Sequence, residues 1–262
     1  MNTFSEINGY VELGVTTPVY AVVNQKHVVA KSIRNDDGYI ALFNELLGYN
    51  LAKELGLRYP AFGYGFVDDA ITDKSNAPFE CNHNDLFTFT EHEIKVMQIT
   101  SPKMVDKIPN SEILNVFIFD IFISNTDRNK GNILIVMPPK NGIPKLFPID
   151  YTHILPGRCL WRDILRQSIP NPSETVGRVY DHGYHQFLIE NKSFTVEEVK
   201  KCADVIKVKI DTIDFTELIS RIPNELLKNL TSDDIDLLVN FLEKQKEVYD
   251  DLIDELIKII VR

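Results

Sequence analysis

An apolar run that ends in a polar loop constrains this chain more than any other feature. Residues 111–124, SEILNVFIFDIFIS, place Ile113, Leu114, Phe117, Ile118, Ile121 and Phe122 on one helical face, with Val116, Phe119 and Ile123 elsewhere around it. A helix apolar nearly all round is a buried one, so a core must be built around it. The run is too short for a membrane span, which needs roughly 20 apolar residues, and no other stretch comes closer. Asp120 interrupts it; a buried carboxylate needs a partner, and the loop backbone or Arg128 can supply one. The polar loop Asn125-Thr126-Asp127-Arg128-Asn129-Lys130-Gly131-Asn132 follows. Ile133–Met137 and Ile143–Ile149 then read as strands around Pro138-Pro139-Lys140-Asn141-Gly142, where Asn-Gly marks a hairpin turn. The second strand runs directly into Asp150.

Asp127, Asn132 and Asp150 stand 5 and 18 residues apart, and the hairpin can bring its far end back to the loop. Mg²⁺ takes hard oxygen ligands, commonly one or two carboxylates completed by water and substrate phosphates. One Asp, one Asn and a second Asp left as base is the set that phosphoryl transfer needs. Each residue also has a plainer reading. Asp127, Arg128 and Asn132 can cap turns, and Asp150 can cap a following helix.

Upstream, Pro18–Val23 and His27–Ser32 are β-rich runs at hairpin spacing. Tyr39–Leu55 is helical, with Leu42, Leu46, Leu47 and Leu51 on one face and Gly56 and Pro60 as stop signals. Its second stripe, Ala41, Glu45, Gly48 and Ala52, is small apart from one acid, which predicts a close helix approach with Glu45 inside the interface. Residues 66–92 are Asp/Asn-rich and read as loop with short strands, and Glu93–Thr100 as one more strand. After Asp150 the chain reads as irregular, around Pro156-Gly157 and Pro170-Asn171-Pro172. Val196–Val208, Thr216–Ile222 and Ser232–Val261 are helical, the last as one helix or two. The order predicts an α+β architecture of two lobes, a β-rich one over residues 1–100 and a helical one over 101–262.

The formal charge is −10, with 28 basic and 38 acidic residues, and the segment 190–262 carries 17 acids against 11 bases. A nucleic-acid backbone needs a basic surface, so nucleic-acid binding is not expected as the main activity. The three cysteines, Cys81, Cys159 and Cys202, are far apart and odd in number, and the first residues lack a secretory pattern, so a reducing cytoplasm is expected. His153, His182 and His185 share no metal-ligand spacing and read as surface or hydrogen-bonded residues.

With these residues in view, the chain resembles the kinase superfamily in its HipA-like and phosphatidylinositol-kinase-like branches. The resemblance lies in Asp120-x4-Asn125-x-Asp127-Arg128-x3-Asn132-x-Leu134 and Ile149-Asp150. Val28-Val29-Ala30-Lys31, Asn44-Glu45, Leu55-Gly56-Leu57, Pro60 and Ile222-Pro223-Asn224-Glu225 extend it over about residues 10–260. Two departures stand out: Asn129 occupies the place of a His, and Tyr151-Thr152 replaces Phe-Gly after Asp150. The resemblance implies a two-lobed protein-kinase-like fold, with ATP and Mg²⁺ as cofactors and a Ser/Thr of an unidentified protein as acceptor. It implies that Lys31 holds the nucleotide phosphates and is positioned by Glu45, that Asn132 and Asp150 bind Mg²⁺, that Asp127 is the catalytic base, and that Arg128 braces the loop. The segment Gly14-Val15-Thr16-Thr17-Pro18 lies where these families cover the phosphates, which makes Gly14 and Thr16 nucleotide-contact candidates. Two other outcomes stay open at this point: a nucleotide-binding pseudokinase, for which Asn129 speaks, and a lipid kinase, which no basic amphipathic stretch supports.

Overall fold

The computed structural model describes residues 2–11, 16–92, 95–136, 142–180 and 183–262. Its first five strands close a barrel: β1 (Thr3–Tyr10), β2 (Val19–Val23), β3 (Lys26–Ser32), β4 (Phe62–Asp73) and β5 (Leu86–Glu91). They run in the order β1-β2-β3-β5-β4, and a parallel pairing of β1 with β4 shuts the ring. The β2–β3 hairpin expected from spacing turns on Asn24 and Gln25, both at positive φ, which a two-residue hairpin loop requires. Phe4, Ile7, Val19, Val28, Ala30 and Phe87 are among the side chains that fill the barrel. Successive side chains alternate along a strand, so with Val28 and Ala30 inside, Lys31 points out of it.

What Lys31 points toward is α1 (Gly38–Leu55), the helix expected from the leucine spacing. It ends on Gly56 in the left-handed conformation, φ 72°, which glycine adopts without a steric penalty. The Lys209 ammonium donates to the freed Leu55 carbonyl at 2.8 Å.

Residues 66–92 correct the sequence expectation, because β4 is the longest strand and β5 lies hydrogen-bonded between β3 and β4. Asp68 and Asp69 are exposed on β4, so their polarity costs the strand nothing. A second sheet holds β6 (Val96–Gln98), β7 (Ile133–Val136) and β8 (Lys145–Pro148), all antiparallel. The turn read at Pro138–Asn141 lies outside the described residues, as do Glu93 and Ile94.

The remaining elements are helical. After α2 (Pro102–Lys107), α3 (Asn110–Phe122) carries the apolar run and buries nine of its 13 residues. The segment after Asp150 is a second correction: it holds α4 (Trp161–Gln167), α5 (Pro172–Tyr180) and α6 (Gly183–Glu190). Pro172 opens α5, where a missing N–H removes no helix bond, so a residue read as a breaker is a start signal. Helices this short are marginal alone and depend on packing, here through Trp161, Leu165, Val176, Val179 and Tyr180. Then come α7 (Val196–Thr212), α8 (Phe215–Ser220), α9 (Asn224–Leu227), α10 (Ser232–Glu247) and α11 (Tyr249–Ile260). The last expected helical stretch is thus two helices, parted at Val248. They bury Leu238, Phe241, Leu242, Leu252, Ile253 and Leu256 and turn most of their acids outward, except for Asp234, which is buried beside Arg166. One apolar core runs from α1 through α3 to α11, so α1 packs with the helical part and touches the barrel through β3, β4 and β5. Among the described residues no helix is long and apolar enough to cross a membrane.

Candidate active site

Lys31 meets two carboxylates that lie 14 and 119 residues away in sequence. Its ammonium donates to Glu45 Oε2 at 3.0 Å, Asp150 Oδ1 at 2.7 Å and Thr152 Oγ1 at 2.6 Å. Glu45 Oε2 also accepts from the Tyr151 backbone N–H at 2.8 Å and the Thr152 hydroxyl at 3.1 Å. Burial works against the Lys31 charge, but Asp150 and then Glu45 outweigh it and hold its pKa above the usual value. Asp150 is the mirror case: burial favours its neutral form, yet Lys31 and the Thr152 groups draw it down to about 2. Burial pushes the Glu45 carboxyl up, against the pull of Lys31.

The turn after β8 makes these contacts possible. Asp150 sits at φ 61°, a left-handed setting that costs most residues energy and that Asp tolerates better than most. The backbone N–H of Asp150 donates to the Tyr49 hydroxyl at 3.3 Å, and Asn44 Nδ2 donates to the Thr152 carbonyl at 2.9 Å. Tyr151 is buried against α1 at Gly48, where an added Cβ would stand 2.2 Å from the Tyr151 Cβ. Gly48 of the small-residue stripe therefore admits this segment, and Glu45 lies inside that contact.

A second buried network shapes the loop after α3. Arg128 grips Asp120 with two hydrogen bonds, Nε to Oδ2 at 3.0 Å and Nη2 to Oδ1 at 2.9 Å. Both side chains are fully buried. The other terminal nitrogen, Nη1, donates to the carbonyls of Asn132 at 2.6 Å and Ile149 at 2.7 Å. Asn125 Nδ2 adds a bond to Asp120 Oδ1 at 2.8 Å, while Asn125 Oδ1 receives the Asp127 backbone N–H at 3.1 Å. The Arg128 guanidinium lies 5.2 Å from the centre of the Tyr151 ring, which joins this network to the Lys31 cluster. Because of Arg128, burial fails to raise the Asp120 carboxyl, which stays below its ordinary pKa. Asp120 thus has the partner expected for it.

The hairpin returns as anticipated: the Ile149 N–H donates to the Asn132 carbonyl at 3.0 Å, which brings Asn132 and Asp150 to one end of the sheet. Asn132 Nδ2 donates to the Asp127 carbonyl at 2.9 Å and stands 3.4 Å from Asp127 Oδ2. Asp150 Oδ1 is taken by Lys31 and Thr152, and its side chain is 30% exposed. Two carboxylates around one ammonium leave an excess negative charge. Oxygen donors with that charge balance suit a hard divalent cation, so Asn132 and Asp150 fit a Mg²⁺ ion.

Of the remaining candidates, Thr16 is buried in the turn before β2, and Gly14 lies outside the described residues. Sequence reasoning missed three contributors. Thr152 bridges Lys31 and Glu45, and Tyr49 anchors the turn at Asp150. His153 lies between Asp127 and Asp37, with Nδ1 3.4 Å from Asp127 Oδ2 and Nε2 3.1 Å from Asp37 Oδ2. Their only available signal was nearness to Asp150 or a place on the face of α1 beside Glu45.

A sequence model of the family described as HipA-like kinase matches residues 4–151. Among solved structures, the Helicobacter pylori proinflammatory kinase CtkA is similar at a TM-score of 0.58 with 14% identity, covering 98% of each chain. HipA of Shewanella oneidensis MR-1, solved with HipB and operator DNA, gives a TM-score of 0.47 and 13% identity over 97% of this chain and 68% of that one. Comparison with curated protein sequences gives no match. The likeness to CtkA establishes a kinase fold of mixed α+β class, with the strands first and the helices after. Matched over more than half its length by the family's sequence model, the chain belongs to the HipA-like kinase family.

Proposed function

We propose that the protein transfers the γ-phosphoryl group of ATP, with Mg²⁺, to a Ser or Thr hydroxyl of a protein. The observation that carries this reading is the meeting of Lys31, Glu45 and Asp150 within hydrogen-bond distance from three separate segments. In this reading Lys31 holds the nucleotide phosphates and Glu45 keeps its ammonium aimed. Thr16, with Gly14, belongs to the segment over the phosphates. Asn132 and Asp150 hold Mg²⁺, which neutralises phosphate charge when bound. Asp127 accepts the proton of the acceptor hydroxyl as that oxygen bonds to the γ-phosphorus and the bond to the bridging oxygen breaks, leaving ADP. Arg128 touches no substrate and sets the loop through Asp120 and the two carbonyls.

We place the nucleotide between an N-lobe at residues 1–100 and a C-lobe at 101–262, with β6 pairing across that boundary. A cytoplasmic setting fits three cysteines that are all unpaired. Thermal unfolding tests the reading: a ligand that binds only the native state raises its stability, so ATP with Mg²⁺ should raise the melting temperature. Asp150→Asn should remove most of that rise. No rise with any nucleotide in the native protein would overturn the proposal.

A further inference from the structure

The His153 imidazole spans two carboxylates that belong to different parts of the fold. Asp127 lies in the loop after α3, and Asp37 immediately precedes α1, the helix that carries Glu45. The His153 side chain is 14% exposed, and both ring nitrogens are engaged, Nδ1 with Asp127 and Nε2 with Asp37. A neutral imidazole has one N–H and one acceptor nitrogen, so only the imidazolium can donate to two carboxylates at once. The hydrogen bond to Asp127 is the foremost reason that the ring holds its proton up to about 10, followed by Cys159 and Asp37.

The loop itself offers Asp127 little of this kind. Asn129 spends its amide on backbone, donating to the Asp127 carbonyl at 3.2 Å and accepting from the Gly131 N–H at 2.8 Å. Asn132 Nδ2 and His153 Nδ1 both stand 3.4 Å from Asp127 Oδ2, and Arg158 Nη2 is 3.9 Å from Oδ1. Of the two groups at 3.4 Å the imidazolium alone is charged, and a charged donor holds a carboxylate more firmly than an amide does.

We infer that His153 is a positioning residue for phosphoryl transfer: it holds Oδ2 of Asp127, leaves Oδ1 for the acceptor hydroxyl, and ties that setting to α1 through Asp37. The inference rests on Asp127 being the base, as proposed above. It gives α1 two roles, since one end holds His153 by way of Asp37 and the middle holds Lys31 by way of Glu45. The first half of α1, from its N-cap Asp37 to Glu45, thus links the phosphate-binding lysine to the acceptor-side carboxylate. A shift of the helix would disturb both together. Asp37, His153 and Cys159 also place one ligand atom each within 4.8 Å of one another. A metal there would have to displace the proton that faces Asp37, so Asp37 and His153 form an ion pair.

The test measures ADP release from Mg·ATP, with water and with dephosphorylated casein as acceptors, in native protein, His153→Ala, His153→Gln, Asp37→Asn and Asp127→Ala. His153→Ala and His153→Gln should each lower kcat by about tenfold or more and leave KM for ATP within about twofold, because the nucleotide contacts are untouched. Asp37→Asn should give a smaller fall of the same kind. In an Asp127→Ala background His153→Ala should cost nothing further, a coupling that a purely structural role would not produce. Native kcat in His153→Ala, an undiminished loss in the Asp127→Ala background, or activity that a chelator removes and zinc restores would each overturn the inference. Absence of turnover in the native protein would instead count against Asp127 as a base, and with it both the proposed function and this inference.

Discussion

Replacing Arg128 by Met should unfold the loop's foundation while changing no atom at the surface. Arg128 and Asp120 are both fully buried and share two hydrogen bonds. Deleting one partner of a buried pair leaves the other charge stranded, which typically costs about 3–5 kcal/mol. The Ile149 carbonyl also loses a donor, at about 1 kcal/mol, whereas the Asn132 carbonyl keeps the Ile149 N–H. Asn125 still donates to Asp120, which offsets part of the loss. A net cost of about 4 kcal/mol is a large fraction of the roughly 5–15 kcal/mol that holds a folded domain together. For a chain of this size each kcal/mol moves the melting point by about 2–4 °C, so a fall of about 8–16 °C is expected by circular dichroism. Replacing both partners, Asp120→Leu with Arg128→Met, removes the stranded charge and should recover much of the stability. It should not recover activity, because neither carbonyl regains the Arg128 donor that sets the loop. A melting point within about 3 °C of native in Arg128→Met would refute the reasoning.

Gly48→Ala should be costly for a different reason, since the new Cβ overlaps Tyr151 and that segment must move; about 1–3 kcal/mol of stability and a weaker response to ATP are expected in thermal shift. His153 should titrate near 10 in an NMR pH series of its ring Cε1–H, and a midpoint near the ordinary 6.5 would show that the Asp127 bond is not formed in solution. Because that pKa is raised on folding, the contribution of His153 to stability is fully present below about 6.5 and is lost as pH rises through about 10. Asp120 works in the opposite sense: its carboxyl is held low in the fold, so its contribution is present above about 3.9 and disappears as pH falls through the folded value. Acid unfolding of Asp120→Asn should therefore be shallower than that of the native chain.

Much of the architecture was legible because single segments carried it. The leucine spacing of α1 and the all-round apolarity of α3 are local patterns, and the hairpin from Ile133 to Ile149 fixes where its two ends meet. Glu45 could be placed in an interface because its neighbours on the helix, Ala41, Gly48 and Ala52, are small. The strands β4 and β5 were not legible: their pairing with β3 comes from distant chain, and exposed acids on β4 disguise it. The helices after Asp150 were missed because Pro172 reads as a breaker until its place at a helix start is known. At the site, the motif spacing led to Lys31, Asp127, Asn132 and Asp150, but the fine setting of those groups did not follow from it. Thr152 and His153 act through the left-handed turn at Asp150, and no local pattern announces a turn of that kind at a non-glycine residue.

The most direct test of the account is transfer of labelled γ-phosphate from ATP and Mg²⁺ by native protein and by Asp127→Asn, with nucleotide affinity measured in parallel. Asp127 contacts the acceptor and not the nucleotide in this account. Asp127→Asn should therefore lose transfer by about a hundredfold or more while binding ATP almost as the native chain does. Equal transfer by the two proteins, or loss of ATP binding together with loss of transfer, would contradict it.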